Sequence, residues 1–265
     1  MHHEQTDSTR RFSNRVENYV RYRPGYPDGV LHVLREETGL NTASQIADIG
    51  SGTGISSELF LSNGNSVFGV EPNPEMRHVA EALLQGYPQF HSIDGTAEVT
   101  TLPGQSADYV IAGQAFHWFD MQKAKQEFIR ILRPGGRAVL MWNSRRTNST
   151  PFLRAYEALL QRYGTDYREV QHKNIGPEVL RAFFGGGKLK MRTLYNEQQF
   201  DFAGLKGRLL SSSYTPDEAH LNYRPMLQEL EHIFEQYRAE GKVRFEYDTE
   251  IYFGYWLDES VAADR

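Results

Sequence analysis

Short apolar runs recur through the first half of the chain, separated by stretches in which apolar positions repeat every three or four residues. "QIADIG" (45–50), "SVFGVEP" (66–72), "QFHSID" (89–94), "SADYVIAGQ" (106–114) and "RAVLMWN" (137–143) are too short for helices and predict five buried strands. "GISSELFLSNG" (54–64) predicts a helix closed by Asn63-Gly64. In "NPEMRHVAEALLQG", Asn73 can cap, Pro74 suits the first helical position and Gly86 can end the helix. Its apolar stripe is Met76, Val79, Ala80, Leu83 and Leu84. A third helix, 120–132, carries Ala124, Phe128, Ile131 and Leu132 on one side, and "RPGG" (133–136) is expected to stop it. Strands alternating with helices predict right-handed βαβ units and a mostly parallel sheet.

Beyond residue 150 the pattern changes. "PFLRAYEALLQRYG", "FAGLKGRLLSSS" and "RPMLQELEHIFEQYRAEG" predict helices, and 188–200 a strand. "VRFEYDTEIYFGYW" (243–256) alternates throughout, with Val243, Phe245, Tyr247, Ile251, Phe253 and Tyr255 on one face and charged residues on the other. A long strand of this kind suits antiparallel addition to the sheet. No Pro/Gly/Ser linker interrupts residues 1–265, so one domain is expected.

Composition narrows the function classes. A net charge of −5 argues against a nucleic-acid partner, which favours a basic surface. With no cysteine, disulfides and thiolate metal sites are excluded. No histidine pair has helical ligand spacing, so no metal site is expected, and the His2-His3 pair in the tail is read as incidental. No apolar run approaches the ~20 residues that span a bilayer, and the first residues lack the apolar core of a signal peptide. The expectation is a soluble cytoplasmic protein with no membrane association and no assigned oligomeric state.

The chemistry is concentrated in "ADIGSGTGISS" (47–57), where Asp48, Gly50, Gly52 and Gly54 stand at alternate positions. Glycine between a strand and a helix allows a sharp turn and close approach of backbone to a nucleotide. A P-loop needs a Gly-Lys-Ser/Thr sequence, and Ile55-Ser56 follows Gly54 here. A dinucleotide loop wants its third glycine one residue later, where Ile55 sits, which leaves an NAD-dependent oxidoreductase as a poorer alternative. A carboxylate at the end of the second strand, Glu71, offers two oxygens to a ribose diol.

These residues resemble the first motif of class I S-adenosylmethionine (SAM) dependent methyltransferases. "GTAEVTTLP" (95–103) resembles the adenine-contacting turn of that family, with Thr96 where aspartate is common, and "FIRILRPGGRAVL" resembles the elements that follow the site. The resemblance covers roughly residues 10–145. "FSNRVENYVRYRPGYP" (12–27), "AGQAFHWFD" (112–120) and "SSSYTP" (211–216) resemble the type 11 small-molecule branch that includes trans-aconitate-methyltransferase-like proteins.

The resemblance implies an α/β fold with a doubly wound, mostly parallel seven-stranded sheet and an antiparallel last strand inserted between the fifth and sixth. It also implies an N-terminal helical lid (1–40), a SAM-binding core (41–145) and a C-terminal substrate-side elaboration (146–265). The implied activity is methyl transfer from SAM, leaving S-adenosylhomocysteine, to an oxygen, nitrogen or carbon nucleophile of a small molecule, a carboxylate among the acceptors. A SAM-binding module without catalysis is the further alternative. Implied cofactor residues are Asp48, Gly50, Ser51, Gly52, Thr53, Gly54, Glu71, Pro72, Met76, Thr96, Ala97, Glu98 and Gln114, with Tyr19 and Arg23 from the lid. Tyr22, Phe116, Trp118, Trp142 and Arg145 are expected at the substrate pocket, and His117 is the candidate base.

Overall fold

In a computed structural model, residues 20–165, 167, 175–185 and 188–256 are described. Seven strands form one sheet: β1 (Gln45–Ile49), β2 (Ser66–Val70), β3 (Phe90–Ile93), β4 (Ala107–Gly113), β5 (Leu132–Arg145), β6 (Leu189–Phe200) and β7 (Val243–Gly254). Their order is β3-β2-β1-β4-β5-β7-β6. Six strands are parallel and the last, β7, is antiparallel between β5 and β6, as the alternation over 243–256 predicts. The helices are α1 (Gly29–Thr38), α2 (Ile55–Ser62), α3 (Pro74–Leu83), α4 (Met121–Ile131), α5 (Pro151–Tyr163), α6 (Pro177–Phe184), α7 (Phe202–Leu210) and α8 (Tyr223–Tyr237). None is long and apolar enough to cross a membrane among the described residues.

One expectation is corrected: "RPGG" does not separate α4 from the fifth strand. β5 begins at Leu132, and the irregularity is absorbed as a bulge between the Ala107–Leu132 and Tyr109–Arg137 pairs. Gly135, with φ +82°, supplies the left-handed residue that such a bulge requires. The short helix α6 is not predicted by the apolar pattern, because "PEVLRAFF" holds only two turns.

Two compact units divide the chain. One contains residues 25–142, 173–194 and 249–265; the other contains 1–24, 143–172 and 195–248. In the first, successive strand residues feed two separate cores. Ala47, Ile49, Val110, Ala112, Ala138 and Leu140 pack with α4 and α6 on one face. Ile46, Val67, Tyr109, Ile111, Val139 and Met141 pack with α1 and α2 on the other. Burial on both faces is why these strands read as continuous apolar runs rather than as alternation. In the second unit, α5, α7 and α8 close around Phe245 and Tyr247 of β7.

Aromatic rings fill the first core. Phe116 is fully buried, edge-on to Phe119, Trp142 and Phe183 with centroids 5.9, 6.3 and 4.6 Å away. Phe116→Ala is expected to lower the unfolding free energy by about 3–5 kcal/mol, through lost burial plus the cavity left among these rings. Urea denaturation measures it, and a loss below about 1 kcal/mol would show the ring to be outside the core.

Candidate functional site

The sheet order reverses between β1 and β4: the chain leaves β1 toward β2 on one side and later returns to β4 on the other. Ligands in open α/β sheets bind outside the carboxyl ends of the strands at such a switch. The Asp48–Gly54 turn stands there. Gly50, Gly52 and Gly54 have φ of +69°, +56° and +90°, all left-handed. Backbone hydrogen bonds hold the turn: Gly50 N and Ser51 N donate to Val70 O (2.8 and 3.2 Å), and Gly54 N donates to Ser51 O (2.9 Å).

The glycines are bare for different reasons. A Cβ at Gly50 would lie 2.7 Å from Ala115 Cβ, and one at Gly54 would lie 2.6 Å from Leu84 Cδ1. Those two let the turn pack against the protein itself. At Gly52 the nearest atom is Met76 Sδ, 3.7 Å away, so this face of the turn is open.

Two carboxylates lie beneath the turn. Asp48 is fully buried, and its Oδ2 accepts hydrogen bonds from Ser56 Oγ and Ser57 Oγ, both at 2.7 Å. Its Oδ1 is buried with no partner. Burial pushes the Asp48 carboxyl up to about 6, against the lowering effect of the two serine hydroxyls. Ser56 and Ser57 escape a motif reading; their signal is position, in the first turn of the helix that follows a buried strand aspartate. Glu71 is also buried, its Oε2 accepting from Gly52 N (3.0 Å) and its Oε1 from Asn73 N (2.9 Å). Burial raises the Glu71 carboxyl, opposed by those two amides and by Arg77. Asn73 caps α3 as expected, accepting from Glu75 N and Met76 N at 2.9 and 3.2 Å, which brings Met76 beside Gly52.

The remaining expected residues fall into three groups. Ser51, Thr53, Pro72 and Gln114 flank the switch: Thr53 is buried with an unpartnered Oγ1, and Gln114, at φ +58°, donates its amide to Met141 O (2.9 Å). Thr96, Ala97 and Glu98 form the turn after β3. There Thr96 Oγ1 accepts from Glu98 N and Val99 N (3.3 and 3.1 Å), so the hydroxyl braces its own loop. Glu98 Oε1 accepts from Asp120 N (2.9 Å), tying the loop to the start of α4. His117 and Trp118 are half-buried in a 3-10 turn after β4, their rings 4.8 Å apart, whereas Phe116 and Trp142 lie inside the core.

Tyr22, Arg23 and Arg145 belong to the other unit, and Tyr19 lies outside the described residues. Tyr22 packs edge-on to Phe200 and covers Gly207, where a Cβ would sit 2.0 Å from its ring. Arg23 Nη2 donates to Ser211 O (3.0 Å). Arg145, expected at the substrate pocket, is the last residue of β5 and pairs with Glu157 at 2.5 Å.

Residues 47–140 match the family described as a methyltransferase domain. An uncharacterized methyltransferase of Mycobacterium tuberculosis is 39% identical over 139 residues, which is 52% of this chain and 54% of that protein. An uncharacterized methyltransferase-like protein of Schizosaccharomyces pombe is 32% identical over 156 residues, 58% of this chain and 59% of its own length. The chain thus spans between half and two thirds of these two relatives. A solved structure from Anaeromyxobacter dehalogenans, provisionally assigned as a type II methyltransferase, shares the fold with a TM-score of 0.67 at 20% identity, covering 88% of this chain and 98% of that one. Phosphoethanolamine N-methyltransferase 2 of Haemonchus contortus, in complex with S-adenosyl-L-methionine, gives a TM-score of 0.53 at 17% identity over 95% of this chain and 59% of that one. These comparisons show that residues 47–140 are similar to a methyltransferase domain and leave the trans-aconitate-like branch unassigned.

The raised Asp48 carboxyl has a consequence for stability. Its folded value, about 6, exceeds its ordinary 3.8, so the folded chain binds more proton than the unfolded chain between those values. Stability from this group is therefore full below pH 3.8 and lost as pH rises through about 6. Asp48→Asn removes the dependence, and its stability relative to the parent should rise by up to about 3 kcal/mol between pH 4 and pH 7. Thermal unfolding across that range tests it; a constant difference would refute the account.

Proposed function

We propose that this chain is a SAM-dependent methyltransferase acting on a small-molecule acceptor, with the cofactor held by the first-strand turn. The observation that carries the reading is Glu71 beside Gly52. Each carboxylate oxygen accepts one backbone amide, which leaves a second lone pair on each for the two hydroxyls of a ribose. The open face of Gly52, which a Cβ would fill, gives the cofactor room to lie against the backbone. Ser51, Thr53, Pro72 and Met76 would line the same turn, and Ala97, Glu98 and Gln114 would meet the base and the methionine part. The match of residues 47–140 to a methyltransferase domain, together with glycine spacing that a dinucleotide loop does not share, favours the methyltransferase reading over an NAD-dependent oxidoreductase, and SAM binding without methyl transfer would instead indicate a non-catalytic binding module.

When bound, SAM supplies a methyl group already activated by the sulfonium. The chain's part is to align the acceptor with it and to exclude water, a contribution of up to roughly 7–11 kcal/mol. An acceptor that carries a proton needs a base, and His117 in the turn after β4 is the assigned candidate. A carboxylate acceptor needs none.

Glu71→Ala should weaken SAM by about 1.5–3 kcal/mol, the usual worth of hydrogen bonds to a charged group. The 2′-deoxyribose analogue should then lose little further affinity on the variant. Calorimetric titration of both ligands decides it: a variant that discriminates the analogue as strongly as the parent would mean that Glu71 does not hold the ribose.

A further inference from the structure

The unit formed by residues 1–24, 143–172 and 195–248 contains an unusual interior. Arg208, at the end of α7, is 6% exposed and has no carboxylate partner among the described residues. Its Nε donates to Tyr247 Oη (3.3 Å), and its Nη1 donates to Ser212 Oγ and Ser211 Oγ (3.2 and 3.5 Å). Arg145 is largely covered, its side chain 10% exposed. It shares Glu157 with Tyr167: Arg145 Nη2 reaches Glu157 Oε2 at 2.5 Å and Tyr167 Oη at 3.0 Å, while Tyr167 Oη donates to that oxygen at 2.6 Å. Its Nη1 is buried with nothing to bond. Tyr156, 1% exposed, lies under the Arg145 guanidinium at 5.1 Å, and its hydroxyl is unpartnered as well.

Two buried guanidinium groups and one carboxylate leave a net positive charge inside this unit. An uncompensated buried charge is strongly unfavourable, and aromatic faces offset only part of that cost. The buried unmet donors, Arg145 Nη1 and Tyr156 Oη, both want an acceptor. A bound oxyanion meets both demands, since guanidinium forks match carboxylate and phosphate oxygens. The half-buried Tyr214 senses the same field: burial would raise its phenol, yet Arg208, Arg145 and Arg23 together hold it below its ordinary value.

We infer that Arg208 and Arg145, with the Tyr156 hydroxyl, form a buried site for a small organic oxyanion. That the oxyanion is the acidic group of the methyl acceptor rests on the methyltransferase reading; the site itself does not.

The test is calorimetric titration of the full chain with benzoate, phenyl phosphate and benzamide, and separately with SAM. At least one of the two anions should bind ten times or more tighter than benzamide, and which one is preferred separates a carboxylate from a phosphate ligand. Arg145→Gln, with folding checked by circular dichroism, should weaken that anion tenfold or more and leave SAM within twofold. Should Arg145→Gln fail to fold, Arg145→Lys keeps the charge without the fork and should weaken the anion at least threefold. No anion binding, equal binding of benzamide, or unchanged affinity in the folded variant would make the arginines internal struts and overturn the site. Anion binding without SAM binding would sustain the site and defeat the methyltransferase reading; SAM binding alone would do the reverse.

Discussion

The turn from β1 into α2 has to reverse direction over a buried carboxylate, and the site is arranged around that demand. Asp48 is pulled under the turn by two serine hydroxyls from the first turn of α2, which also places it near the positive end of that helix. With the aspartate beneath and Ala115 and Leu84 pressing from the sides, the backbone above has little freedom except to run through left-handed conformations. The three glycines answer one geometric requirement, but only Gly52 turns an open face outward. A motif that looks uniform along the chain is thus two packing contacts and one open face.

The sheet sets where this turn stands. Strands β1, β2 and β4 are buried on both faces, so their register is fixed by two cores at once. A slip of one residue would send Ile46 and Ile111 toward the wrong core and carry Asp48 off its serines. The rigidity of the turn is therefore inherited from the sheet, and so is the position of Glu71, whose strand pairs with β1 along its whole length. Glu127 extends the same support to the loop after β3 by accepting from Thr100 N at 2.8 Å.

The second unit follows a different rule. Its helices bury tyrosines and arginines together, with Tyr167 and Arg145 sharing Glu157. Such networks stay folded only when most of their donors are met, and each unmet one is a standing cost. A polar interior with charge to spare is a poor way to gain stability, which is why a ligand role explains it better than packing does. For the proposed methyl transfer, which needs little acid–base chemistry from the protein, selectivity for the acceptor falls to whatever binds and orients it.

Most of the fold was legible in the chain. Periodicity located the strands and the main helices, and the unbroken alternation of Val243 to Phe253 marked β7 as the antiparallel strand, because side-chain period follows directly from local backbone geometry. The turn was legible for a similar reason: left-handed residues select glycine locally, whatever surrounds them. What the chain did not reveal depends on contacts between distant residues. Thr96 and Phe116 look available for ligands in a linear reading, but a threonine can spend its hydroxyl on its own loop, and a ring beside a site can point into the core. The pairing of Arg145 with Glu157 and Tyr167 leaves no periodic trace. Nor does the approach of Arg208 to Ser212 and Tyr247, since α7, the turn after it and β7 are brought together only by packing. Local sequence determined which elements form and where the backbone turns; the tertiary structure alone decided which charges are buried, which are paired and which are left wanting a partner, because those energies depend on neighbours that the sequence does not place side by side.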